Sequence, residues 1–256
     1  MTLARLNPFR GLPNPREVWA WGMYDLANQS FTLLINTMFF GLYVQEVVAP
    51  DKPTGDRLWG TIGPLSLLVV VLIGPFLGAT ADARGWKKRM LIGSGVLCVG
   101  FTCAFGLIQP GWMLVAALLY IPANIFYNIG ENFLASFLPL VSTKKNIGRV
   151  SATGWAMGYV GALLLLLISG VLITIFGWTA TEQYRPLFVL AGIWFAVVAI
   201  PTVLFLHEDR PERTARGALG EGLHRMRQTI LDASRYAQLL RFLSVFFIYS
   251  MGTQVV

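Results

Sequence analysis

The chain has 256 residues, of which 55% are hydrophobic and only 13% charged, against about 25% charged in soluble domains. That balance excludes an ordinary soluble domain and points to a polytopic membrane protein. A formal net charge of +7 would suggest nucleic acid in a soluble chain, but here the basic residues sit in short turns between apolar runs. No nucleic-acid partner is expected; the partner is the lipid bilayer.

In chain order, an N-terminal tail over residues 1–16 carries Arg5, Arg10 and Arg16. A bilayer crossing needs about 20 apolar residues at a rise of about 1.5 Å each. Runs of that kind are expected to span 17–48, 58–81, 90–108, 112–139, 150–176 and 187–206. The first is too long for a cleavable signal peptide and lacks a small-residue exit. Together they make a six-helix transmembrane bundle over 17–206, with Pro64, Pro75 and Pro122 inside spans, where they bend helices and free carbonyls. Cys98 and Cys103 share one apolar run with no metal-ligand neighbours and are expected to be packing residues.

The segment 207–236 reads as a linker. It opens with the charged run His207 to Arg216, after which Leu219, Leu223, Met226, Ile230 and Leu231 recur at helical spacing opposite Arg225, Arg227 and Arg235. Either a basic amphipathic helix on the membrane surface or an ordinary solvated helix fits that pattern. A seventh apolar run occupies 237–256 and reaches the last residue, so the expected architecture is one half of a two-bundle protein whose partner is a C-terminal six-helix half. Sixteen of the twenty Lys and Arg residues lie in the tail, in 82–89, in 142–149 and in the linker. By the positive-inside rule those connections and the N-terminus are cytoplasmic.

The first span carries Asp25, Asn28, Gln29, Ser30 and Asn36 where hydrocarbon should be. One ionisable group in a membrane helix costs roughly 2.5–3.5 kcal/mol on insertion scales, so this helix needs a polar neighbour or a wet cavity. The fourth span supplies Asn124, Tyr127, Asn128, Glu131 and Asn132. Asp25 and Glu131 each lie about eight residues from the cytoplasmic end of their span, roughly 12 Å deep, so the two are expected at similar depth and able to face each other. Burial and a second carboxylate both favour the neutral form of a carboxylic acid, which is what proton coupling requires. The other reading keeps Asp25 structural, accepting hydrogen bonds from neighbouring Asn or Trp groups. Tyr24-Asp25 with Ala27-Asn28 also echoes Tyr127-Asn128 with Gly130-Glu131, in the helices that a three-plus-three inverted repeat would relate.

Two further patterns concern packing. Gly154, Gly158 and Gly161 form a small-residue stripe in the fifth span, which lets a neighbouring backbone approach closely, either to slide or simply to pack. In the turn after the second span, Gly78 stands one helical turn before Asp82, Gly85 permits a tight reversal, and Arg84, Lys87, Lys88 and Arg89 anchor the next span.

The run from Gly78 to Arg89 resembles the G-x-x-x-D-x-x-G-R-[RK] loop of the major facilitator superfamily. That resemblance implies a latch between two half-bundles carried by Gly78, Asp82, Arg84, Gly85, Lys87 and Lys88, with Trp86 standing where an arginine is usual. Trp21-Gly22-Met23-Tyr24-Asp25-Leu26-Ala27-Asn28-Gln29-Ser30-Phe31 resembles the opening of the UMF1-type branch, which includes the Atg22-like effluxers. The run from Ile147 to Gly161, with Arg149, Gly154, Trp155, Gly158, Tyr159 and Gly161, resembles that branch's fifth helix. At the end of the fourth span the chain keeps Leu138-Pro139 but lacks the branch's Tyr-Asn pair.

The resemblance implies an all-α integral membrane fold, the N-terminal six-helix bundle of a major facilitator, and secondary transport of a small polar solute by alternating access. Amino-acid efflux is the implied direction, with protons as candidate coupling ion. Tyr24, Asp25, Asn28, Asn124, Tyr127, Asn128, Glu131 and Asn132 are the candidate cavity residues. A bacterial inner membrane is the expected location, or a vacuolar membrane in a eukaryote. No phosphate-binding Gly-rich loop, nucleophile, His cluster or metal spacing occurs, so no cofactor, no metal and no enzymatic activity are expected. The alternatives are a seven-span receptor, which asks for an extracellular N-terminus, and a membrane enzyme using Asp25 and Glu131 as acid and base.

Overall fold

A computed structural model describes residues 14–208 without interruption, together with Phe9, Gly11, Leu12 and single positions between 238 and 248. The expected linker helix, nearly all of the tail and the seventh run lie outside the described residues or are represented only by those single positions.

The first span begins as α1, Pro15–Ser30, with proline in its first turn, where its missing N–H costs nothing. It continues over Phe31–Met38 with one extra residue per turn. There the Phe39 N–H donates to the Leu34 carbonyl, five residues back, at 3.1 Å, and the Thr37 hydroxyl donates to the Thr32 carbonyl at 2.7 Å. At Phe39 the axis turns by 41° into a second piece, α2 (Phe40–Tyr43), which again widens over Val44–Val48.

The remaining spans are α3 (Lys52–Arg84), α4 (Lys87–Ala104), α5 (Met113–Val141), α6 (Ile147–Phe176), and a last crossing made of α7 (Arg185–Val198) and α8 (Ile200–Phe205). Among the described residues five crossings are long and apolar enough to span a bilayer, and the bent first span makes a sixth. The protein is a multi-pass integral membrane protein.

The helices run past the ends of the apolar runs because polar caps carry them into the headgroup zone. Asp51 accepts from the Thr54 N–H at 2.8 Å and starts α3 before the apolar residues begin. That bond holds the Asp51 carboxyl below the usual carboxylate range. At the other end, Gly85 at φ 62° and Gly177 at φ 61° close α3 and α6 in the left-handed conformation that glycine adopts without strain. The last crossing breaks at Ala199, because Pro201 has no N–H for the carbonyl of Val197.

In the layout, α1 and α5 are central. α1 packs on α6, α7 and α8, while α5 packs on α3 and α4, the arrangement of two inverted three-helix repeats. Lipid tails are as apolar as leucine, so burial alone does not hold such helices together; close approach and interhelical hydrogen bonds do. The glycine stripe of α6 provides the approach to α1. The Trp21 ring fills the space that a side chain at Gly154 would need, and a Cβ at Gly161 would lie 2.5 Å from the Leu26 carbonyl oxygen.

Two interhelical hydrogen bonds tie the first half of α1. Trp21 Nε1 donates to the Leu134 carbonyl on α5 at 2.8 Å, and Thr202 Oγ1 of α8 donates to the Ala20 carbonyl at 2.6 Å. At the opposite end, Phe40 stacks on Phe105 at 4.4 Å and on Tyr120 at 5.7 Å, and meets Phe188 edge-on at 5.4 Å. Cys98 is buried and Cys103 half-buried, both as free thiols, and Cys103 Sγ occupies the space beside Gly192.

Candidate functional site

Between α1 and α5 runs a ladder of polar pairs. The Asn28 amide donates to Glu131 Oε1. One turn along, Thr32 Oγ1 and Tyr127 Oη share a hydrogen bond at 2.7 Å, with the Phe31 and Tyr127 rings stacked at 4.9 Å. A further turn along, Tyr120 Oη donates to Asn36 Oδ1 at 3.0 Å, and Asn36 Nδ2 donates to Asn124 Oδ1 at 3.4 Å. Asn124 in turn donates to Ser66 Oγ of α3 at 2.5 Å, and Asn128 donates back to the Asn124 carbonyl at 2.7 Å. Positions 28, 32 and 36 are spaced by four on a rising helix and meet 131, 127 and 124 on a descending one. The ladder is the geometry of two antiparallel helices with one polar stripe each.

Of the expected cavity residues, the ladder thus gathers Asn28, Asn124, Tyr127, Asn128 and Glu131. Asp25 does not meet Glu131 directly. It lies one turn nearer the chain's start, against Gly158 of α6, where a Cβ would be 3.3 Å from Asp25 Oδ2. It is still near enough for the two charges to interact. Counted from the observed ends of α1 and α5 the two carboxylates are still equally placed, ten residues after Pro15 and ten before Val141; what separates them is direction around α1, Asp25 being turned to α6 and Asn28 to α5. No hydrogen bond reaches the Asp25 carboxylate among the described residues; the Trp21 donor that the structural reading would use goes to Leu134.

Tyr24 and Asn132 stand apart from the ladder. Tyr24 points between α4 and α7, with its hydroxyl 3.4 Å from the Leu91 carbonyl and its ring edge-on to Phe195. It is seated by Gly130 and Gly95, where a Cβ would lie 2.6 and 3.1 Å from the tyrosine oxygen. Asn132 is exposed and lines a separate cleft of about 110 Å³ between α3 and α5, together with Gly78, Asp82 and Lys87. Residues the sequence reading passed over are Thr32, Ser66 and Tyr120. The four-residue spacing of Asn28, Thr32 and Asn36 is the signal that identifies the α1 stripe.

In the fifth crossing, Gly154, Gly158 and Gly161 all face α1, whereas Trp155 and Tyr159 do not pack there. They are 65% and 68% exposed, with ring centroids 6.3 Å apart on the outer flank. Each follows a stripe glycine by one residue and is therefore rotated about 100° away from it. Arg149 is exposed at the start of α6.

The turn between α3 and α4 is held by charge. Lys87 Nζ lies 2.8 Å from Asp82 Oδ1, and the Arg84 guanidinium sits over the Trp86 ring at 4.7 Å, so the tryptophan becomes a platform for its basic neighbours. Gly85 makes the reversal as expected. Gly78, however, makes no close helix contact: nothing lies within 4 Å of where its Cβ would be, because it faces the open cleft rather than a neighbouring backbone.

The free N–H groups that open α4 are capped from a distance. Lys87 and Lys88 N–H donate to the two Glu208 carboxylate oxygens at 2.7 and 2.8 Å, an arrangement favoured by the positive end of the helix dipole. Beside it, His207 Nδ1 lies 3.0 Å from Glu17 Oε1 at the start of α1. Among the described residues no group of three metal-ligating side chains occurs.

Comparison with known proteins places this architecture. A family model described as "Vacuole effluxer Atg22 like" matches residues 62–256. An uncharacterized MFS-type transporter, YxiO of Bacillus subtilis (strain 168), is 24% identical over 248 residues, covering 91% of this chain and 56% of that protein. The multidrug resistance protein MdtG of Proteus mirabilis (strain HI4320) is 26% identical over 205 residues, covering 78% and 46%. The lactose permease of Lactobacillus helveticus is 29% identical over 198 residues, covering 71% and 29%. The chain thus spans about half the length of the curated relatives it matches. No solved structure matches it. With three quarters of its length inside the matching model and an all-helical membrane bundle to go with it, this chain belongs to the Atg22-like vacuole effluxer family.

Proposed function

We propose that the chain is the first bundle of a secondary transporter that moves a small polar solute by alternating access. The observation that carries this reading is the α1–α5 ladder: a continuous line of hydrogen-bonding groups, ending on a carboxylate, in the interior of a membrane bundle. A purely structural seam needs no carboxylate there, and an ionisable group at membrane depth marks a substrate or ion path by default.

In the proposed mechanism the bundle rocks against a second six-helix bundle, with the solute held between them and in contact with Asn28, Tyr127 and Glu131 on this side. Glu131 exchanges a proton or a solute charge, and Asp25 modulates it from one turn away. The glycine stripe lets α6 shift along α1. The end of the bundle that carries Arg84, Lys87 and Lys88 faces the cytoplasm, and Asp82 with these basic residues latches the two bundles when that side is closed. Residues 207–236 form the connection to the second bundle and 237–256 its first crossing. The names of the relatives support transport as a class, and the family's description supports export; amino acids are the proposed cargo.

The test is solute flux in liposomes containing the full-length protein. Efflux of preloaded amino acids that depends on a proton gradient is expected. A protein that moves no solute in either direction, under any gradient, would defeat the reading.

A further inference from the structure

At the end of the ladder nearest Asp25, acceptors outnumber donors. Glu131 receives one hydrogen bond, from Asn28. The Asn28 side chain is only 1% exposed, yet its Oδ1 has no hydrogen-bond partner among the described residues. Asp25 receives no hydrogen bond there either, and Gln29 Nε2, one turn along, faces the same α6 glycine without donating to the carboxylate. The upper rungs differ. Asn36 Oδ1 has Tyr120, Asn124 Nδ2 has Ser66, and Thr32 has Tyr127.

Charge is unbalanced in the same place. Two carboxylates lie in the membrane interior, while every Lys and Arg between residues 14 and 208 sits in a loop or within the first two turns or the last turn of its helix. A buried acceptor left without a donor costs about 1–3 kcal/mol, and an unpaired charge more. What the site lacks is a compact group that brings several N–H donors and one positive charge.

Resting on the transporter reading above, we propose that Asn28 Oδ1, Glu131 and Asp25 form a subsite for the protonated amine of the solute. An alkylammonium group carries three donors and no acceptor, which matches three acceptor groups on two adjacent turns of α1 and the facing turn of α5. A neutral polyol brings as many acceptors as donors and leaves the charge unpaired. Among residues 14–208 the Lys and Arg residues belong to loops and helix ends, away from these three groups, so recognition here rests on the amine alone.

The experiment is uptake into liposomes containing the full-length protein, above protein-free vesicles. The probes are L-leucinamide and putrescine (amines without a carboxylate), L-leucine, N-acetyl-L-leucine and the polyol ribitol, with sodium and proton flux recorded alongside. L-leucinamide, putrescine and L-leucine are expected to enter, and N-acetyl-L-leucine and ribitol to enter about tenfold more slowly or less, equivalent to about 1.4 kcal/mol. Glu131→Gln, which keeps the shape and a partner for Asn28, is expected to remove that preference. Should the variant fail to fold, the ranking of solutes on the unaltered protein decides by itself. Entry of ribitol or N-acetyl-L-leucine as fast as the amines, or ion flux with no organic solute, overturns the amine subsite and leaves the transporter reading standing. No flux of any solute or ion overturns both.

Discussion

Around Phe40 the seam between the first and fourth crossings is closed by rings, with Phe105, Tyr120 and Phe188 all in contact with it. Twelve residues earlier, beyond the bend at Phe39, the same seam is made of Asn28 and Glu131, with an acceptor left over. In the ring-lined half the aromatic side chains of neighbouring helices pack directly on one another. In the polar half the helices satisfy each other only in part. The change of material along one seam is the contrast on which the proposed solute site rests.

Mutations should separate the two halves. Phe40→Ala is expected to have the largest effect, because removing a fully buried aromatic leaves a cavity and costs about 3–5 kcal/mol. Thermal unfolding in detergent should show loss of the folded bundle, and activity should fall with the amount of protein. Glu131→Gln should do the reverse: normal yield and melting temperature, with flux reduced about tenfold or more, equivalent to about 1.4 kcal/mol, and its pH dependence gone. Flux across a pH series compared with the parent protein is the measurement. If Glu131→Gln instead melted the protein while leaving flux per folded molecule unchanged, the contrast between the halves would be lost.

The glycine stripe allows a finer cut. A Cβ at Gly158 would stand 3.3 Å from Asp25 Oδ2 and from Gln29 Nε2, tight but at the ends of side chains that can yield. Gly158→Ala should leave the amount of folded protein unchanged and slow turnover severalfold if α6 must move along α1; unchanged turnover would make the stripe static packing. Gly154→Leu, which collides with the Trp21 ring, should impair folding under either reading.

The smallest effect belongs to Asp51. Its carboxyl titrates lower in the folded protein than in the unfolded chain, so its contribution is complete above the unfolded value of about 3.9 and is lost as pH falls through the folded value. Melting curves recorded below about pH 3.9 should show that loss in the parent protein and not in Asp51→Ala.

The features legible in the sequence were those written in local periodicity. Runs of apolar residues located the crossings, Gly85 its turn, and the spacing of Gly154, Gly158 and Gly161 a face that indeed meets α1. Pairings between distant helices were less accessible. Asn28 rather than Asp25 meets Glu131 because depth along a helix does not fix direction around it, and at this level α1 turns Asn28 toward α5 and Asp25 toward α6. The widened turns over Phe31–Met38 reflect a one-residue shift in hydrogen bonding that leaves no mark in composition. Trp155 and Tyr159 belong to a shared motif with the stripe glycines, yet adjacency along a helix places them on another face.

The cap that Glu208 places on the first turn of α4, beside the contact of His207 with Glu17, has a mechanical meaning. The chain leaves the sixth crossing in contact with the heads of the first and third, so the point of exit joins three crossings, one of which carries the polar stripe.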